Sequence, residues 1–570
     1  MLKRWVALML IVCVMAGFPA FSAANAPQAN EKVIQCLALP EALKGDMQSV
    51  VARDLNTGKV IAMSGSDGEF VYALAEPGTE IEAACVREML FSDLDPVYGD
   101  YFASFVSRRG IMVGDQDNYF HGDKPLTRAE MAVILTRLLD FRGESKHEFS
   151  DVPSQAWFAP YISALTQAGV LAQGDSFFPQ REVTKQELCT MAARALDAMA
   201  LDKTPTDPEY AQQRIETALD WGDVAQYAKP YYKMLSQNGI PVLEEWVDND
   251  MVDLNDDEIY LHPADTVTRF EAAQFISSYL NIVIRNHAPA MPTTLAASYG
   301  LDTQMPVIDG STSSYPITTA LYYSLFYNAA NHPSFPNTHT KTITSYERLI
   351  NGEADIILVP DPNSDVKALA ASKGVSLKYI PIANEALVFF TGKENPVENL
   401  TSGQIKDIYI DNAFQNWNEL GGPDAPFSAF CRNNDSGSHA QMEKFFLEGK
   451  EINENIRRER TSVLMASILT DVQDFERENP GAFALGYSMF YYFHTAGSVV
   501  GNENLKLLSV DGVAPTEASL KDGSYPLTTN YFAVVREDEP SDSPAMRLAA
   551  LLTGKDGQLC IENAGFGSLK

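Results

Sequence analysis

Basic residues are scarce in this chain of 570 residues: 43 Lys and Arg stand against 75 Asp and Glu, a formal charge of −32 at pH 7. The deficit is spread along the chain, which excludes nucleic acid as a general partner and disfavours an anionic membrane surface, because both bind through clustered cations. Cysteine is thin as well, with 6 in all and no C-x-x-C pair, so no zinc site is expected. The 8 histidines are scattered, and neither H-E-x-x-H nor G-x-S-x-G occurs. The chain therefore reads as a non-enzyme with no metal and no cofactor. Long apolar runs are missing after the first 21 residues, so no membrane span is expected beyond them. What is present is ordinary globular material, 45% hydrophobic and 21% charged, enough for several domains.

Lys3 and Arg4 precede the apolar run 5–21, and Ser22-Ala23-Ala24 supply a small-residue cleavage site. This pattern reads as a secretory signal peptide over 1–24. Cys13 lies inside the apolar run, so lipoprotein processing is not expected. Of the remaining cysteines, Cys36 with Cys85 and Cys431 with Cys560 can pair and leave Cys189 over, or all five are free; spacing does not choose. Residues 25–94 read as a small β-rich module or β-hairpin, with alternating runs at 49–53 and 59–63 joined by Asn56-Thr57-Gly58.

Internal repetition organises the next segment. Leu126-Thr127-Arg128-Ala129-Glu130-Met131-Ala132 recurs as Val183-Thr184-Lys185-Gln186-Glu187-Leu188 and as Val267-Thr268-Arg269-Phe270-Glu271-Ala272. Each copy sets Thr at a helix N-cap with Glu three residues on, the capping box. Phe149-Ser150-Asp151-Val152-Pro153 opens the second copy and Trp221-Gly222-Asp223-Val224 the third, whereas the first lacks an opening Asp-Val. The copies, 95–145, 146–200 and 218–284, resemble three S-layer homology (SLH) repeats. That resemblance implies a helical pseudo-threefold trimer that binds a pyruvylated secondary cell-wall polysaccharide, with Arg128, Lys185 and Arg269 as the cations. Lys185 lacks the planar fork of Arg and is the weakest of the three. An acidic insertion, 244–258, reads as a solvated loop.

A Pro-containing linker, 285–304, leads to strands that alternate with amphipathic helices, as at 354–359, from Ser364, and at 377–382, which is α/β architecture. Two turns in this half have the chemistry of oxyanion capture. Asp309-Gly310-Ser311-Thr312-Ser313-Ser314-Tyr315-Pro316 and Arg432-Asn433-Asn434-Asp435-Ser436-Gly437-Ser438-His439 each lead from a strand into a helix and aim hydroxyls and backbone amides at one point. Arg432 adds a fixed charge. His439 reads as a helix-start residue, not a catalytic one.

Leu400-Thr401-Ser402-Gly403-Gln404-Ile405, Asn416-Trp417-Asn418-Glu419-Leu420-Gly421-Gly422 and Gly481-Ala482-Phe483-Ala484-Leu485-Gly486-Tyr487 make 305–570 similar to phosphate-transport substrate-binding proteins. The resemblance implies a type II periplasmic-binding-protein fold, two α/β lobes joined by strands crossing near 386–391 and 528–535. It implies a ligand set of Ser311, Thr312, Ser314, the N–H of Tyr315, Thr342, Asp361, Arg432, Asn434, Ser436, Gly437 and Ser438. Two departures stand out: Asp361 follows Pro360 where the family's phosphate-selecting Asp is placed, and Asn434 replaces an Asp. The whole is then a multidomain, secreted protein of the cell wall or S-layer that binds phosphate or a related oxyanion, with an ABC-type permease as a further partner. The alternative is a structural surface-layer protein whose binding domain has lost its ligand.

Overall fold

The computed structural model describes residues 32–86, 91–94, 99–143, 149–202, 215–243, 245–247, 258–463, 467–494 and 501–569. The expected signal peptide, 1–24, lies outside the described residues. The chain forms two compact units that divide between Ala288 and Pro289. Among the described residues no helix is long and apolar enough to cross a membrane. All five described cysteines are free thiols, so the pairing alternative does not occur.

The first unit opens with strands. Val33–Ala38 and Ser64–Ser66 flank Phe70–Ala75 in an antiparallel sheet, and Val50–Asp54 pairs with Ile81–Cys85. Asp54 Oδ1 accepts the amides of Asn56 and Thr57 at 2.8 and 3.2 Å, and Gly58, at φ 68°, turns the chain. Residues 59–61 turn back on the first run, with Asp54 N–H to Lys59 O at 3.0 Å, Ile61 N–H to Ala52 O at 2.9 Å and Val60 bridging Arg53, and the pairing stops there because 64–66 join Phe70–Ala75. Arg109, just past the helix Gly99–Arg108, donates to Ser64 O at 2.6 Å and Val50 O at 3.2 Å and so fastens both sheets to the helical region.

The repeated motif builds a repeated structure. Helices Arg128–Leu139, Lys185–Ala198 and Arg269–His287 start at Thr127, Thr184 and Thr268, whose backbone amides donate to Glu130, Glu187 and Glu271 at 2.8, 3.2 and 2.8 Å. The residue before each Thr is fully buried and hydrogen-bonds to the next copy: Leu126 N–H to Val267 O (2.8 Å), Val183 N–H to Leu126 O (2.9 Å), Val267 N–H to Val183 O (3.0 Å).

A second repeated device precedes each box. The carboxylate of Asp93 takes the amides of Phe120 and His121, that of Asp151 those of Phe177 and Phe178, and that of Asp220 those of Leu261 and His262, all at 2.6–2.8 Å. His121, Phe178 and His262 hold φ of 56°, 58° and 44°, a left-handed turn held by the paired bonds. The first copy therefore has its opening acid, Asp93, and the third uses Asp220 where Asp223 was expected. Spacing alone hid this, because the stretch between acid and clamp differs in length between copies. The ends of the acidic insertion, Glu245–Val247 and Glu258–Tyr260, form an antiparallel ribbon rather than loop; 244 and 248–257 lie outside the described residues.

The segment read as a linker is folded. Arg269–His287 covers its start, Met291–Pro292 pairs with Phe326–Tyr327, and Ala296 and Leu301 are buried in the core of the second unit. There the sheet runs Ile308–Gly310, Ile356–Val359, Thr528–Arg536, Leu377–Gly392, the first two parallel. Leu377–Gly392 is 16 residues long and serves two lobes: residues 377–386 pair with Thr528–Arg536, and 387–392 pair with Phe483–Met489 and Leu505–Val510. The crossing thus lies at Ala386–Leu387, where Leu387 N–H meets Leu527 O at 3.1 Å.

Candidate functional site

Gly310 ends the first strand so close to its neighbours that a β-carbon there would lie 2.3 Å from Leu358 O. That approach lets the Ser311 amide bond Leu358 O at 3.1 Å and sets the following hydroxyls in one turn. Ser311 Oγ meets Ser313 Oγ at 3.0 Å, and Ser313 Oγ meets Tyr531 OH at 2.5 Å. His339 supports the turn from below, with Nδ1 2.9 Å from Ser311 O and Nε2 3.1 Å from Thr318 Oγ1, and burial pushes its pKa down.

The opposite wall comes from the second lobe. Cys431–Arg432 pairs with Thr461–Ser462, and Arg432 is only 5% exposed. Its Nε donates to Ser462 O at 3.0 Å and Nη2 to Val463 O at 3.2 Å, while the backbone amide of Arg432 donates to Tyr487 OH at 2.9 Å. Nη1 is buried with no hydrogen-bond partner among the described residues. Burial lowers the Arg432 pKa, though an arginine stays charged at physiological pH. Ser436 caps the helix Gly437–Met442 by accepting the His439 amide at 3.2 Å.

These walls enclose a cavity of about 210 Å³. It brings together Ser311, Thr312, Thr342, Arg432, Ser436 and Gly437 of the expected set. It adds Ser313, Lys341, Asn433, Asp435 and Tyr492, which sequence reasoning missed. Asn433 and Asp435 stood inside the recognised motif; Lys341 adjoins Thr342, and nothing local marks Tyr492.

The other expected residues lie elsewhere. Ser314 is fully buried with Oγ 2.5 Å from Leu358 O and 3.0 Å from Ser311 O, and the Tyr315 backbone N–H bonds Thr312 O within the turn. Ser438 Oγ lies 2.9 Å from Ser436 Oγ, behind the cavity wall. Asp361 and Asn434 line a separate cavity of about 560 Å³. There Lys444 Nζ reaches Asp361 Oδ2 at 2.5 Å and Thr529 Oγ1 donates to the same oxygen at 2.9 Å. His439 also faces this second cavity, and burial, with help from Arg457 and Arg432, pushes its pKa down to about 4, so it is neutral at pH 7.

In the first unit, the three expected cations are each engaged by the capping-box Glu of another copy. Arg128 Nη1 donates to Glu187 at 2.7 Å, Lys185 Nζ lies 3.6 Å from Glu271, and Arg269 Nη1 lies 3.8 Å from Glu130. Their side chains are 17%, 11% and 16% exposed. Arg128 and Arg269 also lie over the Phe177 and Phe120 rings, at 4.8 and 5.1 Å.

Comparison with known proteins finds matches on either side of the division between Ala288 and Pro289. Residues 297–552 match the PBP superfamily domain, and residues 90–132 and 148–189 match the S-layer homology domain. Residues 218–284, the third copy read from the sequence, lie beyond that match but carry the same box at Thr268 and clamp at Asp220. Over 267 residues the chain is 27% identical to the phosphate-binding protein PstS of Staphylococcus haemolyticus (strain JCSC1435), covering 45% of this chain and 79% of that one. It is 29% identical over 181 residues to an S-layer protein of Bacillus thuringiensis subsp. finitimus, 30% of this chain and only 19% of that relative's length. An ABC-type phosphate transport receptor from Vibrio cholerae, a solved structure, aligns with 46% of this chain and 98% of its own at 22% identity and a TM-score of 0.35.

Proposed function

From a chain that joins SLH repeats, the mark of secreted, cell-surface or wall-anchored proteins, to a PBP superfamily domain, we propose a cell-wall-anchored solute-binding protein that captures phosphate or a related oxyanion between two lobes. The observation that carries this reading is Arg432: a buried cation whose Nη1 has no partner among the described residues, at a cavity whose lining includes the hydroxyl-bearing Ser311, Thr312, Ser313, Thr342 and Ser436. Such a donor is costly to leave unpaired, and an oxyanion is the ligand that satisfies it together with the hydroxyls. The reaction this geometry serves is binding and release.

The anchor in this reading is the helical region 95–284, three SLH copies closed into a pseudo-threefold ring, with 25–94 as an appended β module and the binding domain starting at Pro289. The cyclic bonds of Leu126, Val183 and Val267 support the ring. Arg128, Lys185 and Arg269 are its polysaccharide-facing cations, each exchanging part of its contact with a capping-box Glu for a pyruvyl carboxylate. An ABC-type permease is the receiver of the cargo.

A thermal-shift screen of the purified chain against phosphate, sulfate, phosphonates, nucleotides and carboxylates tests the capture claim, because a ligand that binds only the folded state raises its melting temperature. Phosphate should raise the midpoint of wild type and not of Arg432→Ala; no shift with any oxyanion would overturn the reading.

A further inference from the structure

The capture reading gives no part to Glu443 and Lys444, yet they join the two lobes. The segment that carries them continues the helix Gly437–Met442, which follows Arg432 in the second lobe. Asp361 and Ser364 belong to the first lobe, where the strand Ile356–Val359 leads into the helix Ser364–Lys373. Lys444 Nζ reaches Asp361 Oδ2 at 2.5 Å and Thr529 Oγ1 at 3.0 Å, and Thr529, only 3% exposed, donates to the same carboxylate oxygen at 2.9 Å. One residue earlier, Glu443 Oε2 accepts the Ser364 amide at 3.2 Å. A carboxylate there meets an N–H that its own helix cannot satisfy, at the positive end of the helix dipole.

The two contacts have opposite polarity, a cation onto an acid and an acid onto a helix start, set one residue apart. Sliding the segment by one residue would bring Glu443 against Asp361, so the pattern also fixes how the lobes meet. A third contact comes from the same segment, where Gly437 approaches Pro360 too closely to leave room for a β-carbon. Asp361, Ser364, Glu443 and Lys444 line the larger cavity and not the one at Arg432, so their bonds do not depend on what the capture cavity holds.

Resting on the capture reading, we infer that Glu443 and Lys444 are positioning residues that clasp the lobes together, favouring closure before the oxyanion arrives and slowing its release afterwards. Asp361 is then the anchor of the clasp and not a ligand to the anion. A ligand held between two lobes leaves only when they part, so each contact that must break adds to the barrier for release. In the ligand-free chain the same contacts raise the binding-competent fraction, and apparent affinity rises with that fraction. The side chains of Lys444 and Asp361 are 38% and 26% exposed, so the effect is several-fold and shrinks with salt.

Two measurements on the full chain test this: backbone hydrogen exchange at Ser364 without ligand, and release of radiolabelled phosphate chased with unlabelled phosphate. Lys444→Met should speed release by about 3- to 10-fold without slowing association, and Lys444→Asp, which sets two carboxylates together, should speed it further. Exchange at Ser364 should quicken in both variants and in Glu443→Ala. Added sodium chloride should speed release from wild type more than from Lys444→Met. Asp361→Lys combined with Lys444→Asp restores opposite charges and should return release to within about threefold of wild type, a rescue that a merely structural role would not give. A double variant that releases as fast as Lys444→Asp would overturn the clasp. If Lys444→Met matches wild type in release and exchange while Arg432→Ala abolishes binding, the inference fails and the capture reading stands. If wild type binds no phosphate, the capture reading falls and takes the effect on release with it, and exchange at Ser364 alone decides the clasp.

Discussion

Arg432 and Glu385 are buried charged side chains with opposite fates. Arg432 keeps its charge while two carbonyls take part of its fork, and the remaining Nη1 has no partner among the described residues. Replacing it by Lys retains the charge but loses the fork, so Arg432→Lys should weaken phosphate binding by roughly tenfold or more in calorimetry while leaving the fold intact. Glu385 sits at the lobe crossing, fully buried, with Oε1 accepting the amides of Ala386 and Tyr491 at 2.9 and 3.2 Å and Oε2 unpartnered among the described residues. Burial pushes its pKa up to about 8 from 4.5, so the folded protein holds a proton that the unfolded chain gives up between those pH values. Stability from this group is therefore full below about pH 4.5 and falls as pH rises toward 8, by an amount on the order of 5 kcal/mol at most. Glu385→Gln should raise the melting temperature at pH 8.5 and leave it nearly unchanged at pH 4.5; an equal change at both would show that the carboxyl is not buried as a neutral acid. His439 acts on the other side, since its lowered pKa costs stability as pH falls below 6.5. Arg432 was legible because its motif is local, with the Ser-Gly-Ser turn four residues on. Glu385 was not, because only the strand pairing that buries it distinguishes it from an exposed Glu.

Two glycines and one threonine show how elements fix the site. At Gly437 a β-carbon would come within 2.8 Å of Pro360 Cγ and 3.2 Å of Thr342 Oγ1, so the second lobe's helix closes directly against the first lobe. Gly437→Ala should hold the lobes slightly apart and weaken phosphate by about tenfold, with little effect on the melting temperature of the ligand-free chain; unchanged affinity would show that closure does not depend on this contact. Gly310→Ala meets backbone instead of a side chain and should lower stability by about 1–3 kcal/mol, read in urea unfolding of the second unit. In the repeats, Thr268→Ala removes the N-cap of the longest repeat helix and should cost about 1 kcal/mol. The boxes and helix starts were legible since they rest on three-residue spacings. The Asp clamps of the first and third copies, the paired ends of the acidic insertion and the folded segment after His287 were not, because each depends on partners 27 to 42 residues away or on a strand formed later in the chain.

At the scale of the whole molecule the two proposed sites fall in different compact units, Arg128 and Arg269 before Ala288 and Arg432 after it. A chain of charge −32 can hold an anionic wall polymer only through local cations, since its overall field repels one. Arg128→Gln with Arg269→Gln should thus release the chain from isolated cell walls in a pelleting assay while phosphate affinity stays unchanged, and Arg432→Ala should do the reverse; loss of both properties in either variant would contradict separate sites. The two-part organisation was readable because each part repeats a family pattern over many residues. The direct test of the central claim is a calorimetric titration of phosphate into the full chain, wild type beside Arg432→Ala. One phosphate per chain with a dissociation constant on the order of micromolar, abolished in the variant, is the result predicted. Absence of heat in wild type, or equal binding in both, would contradict it.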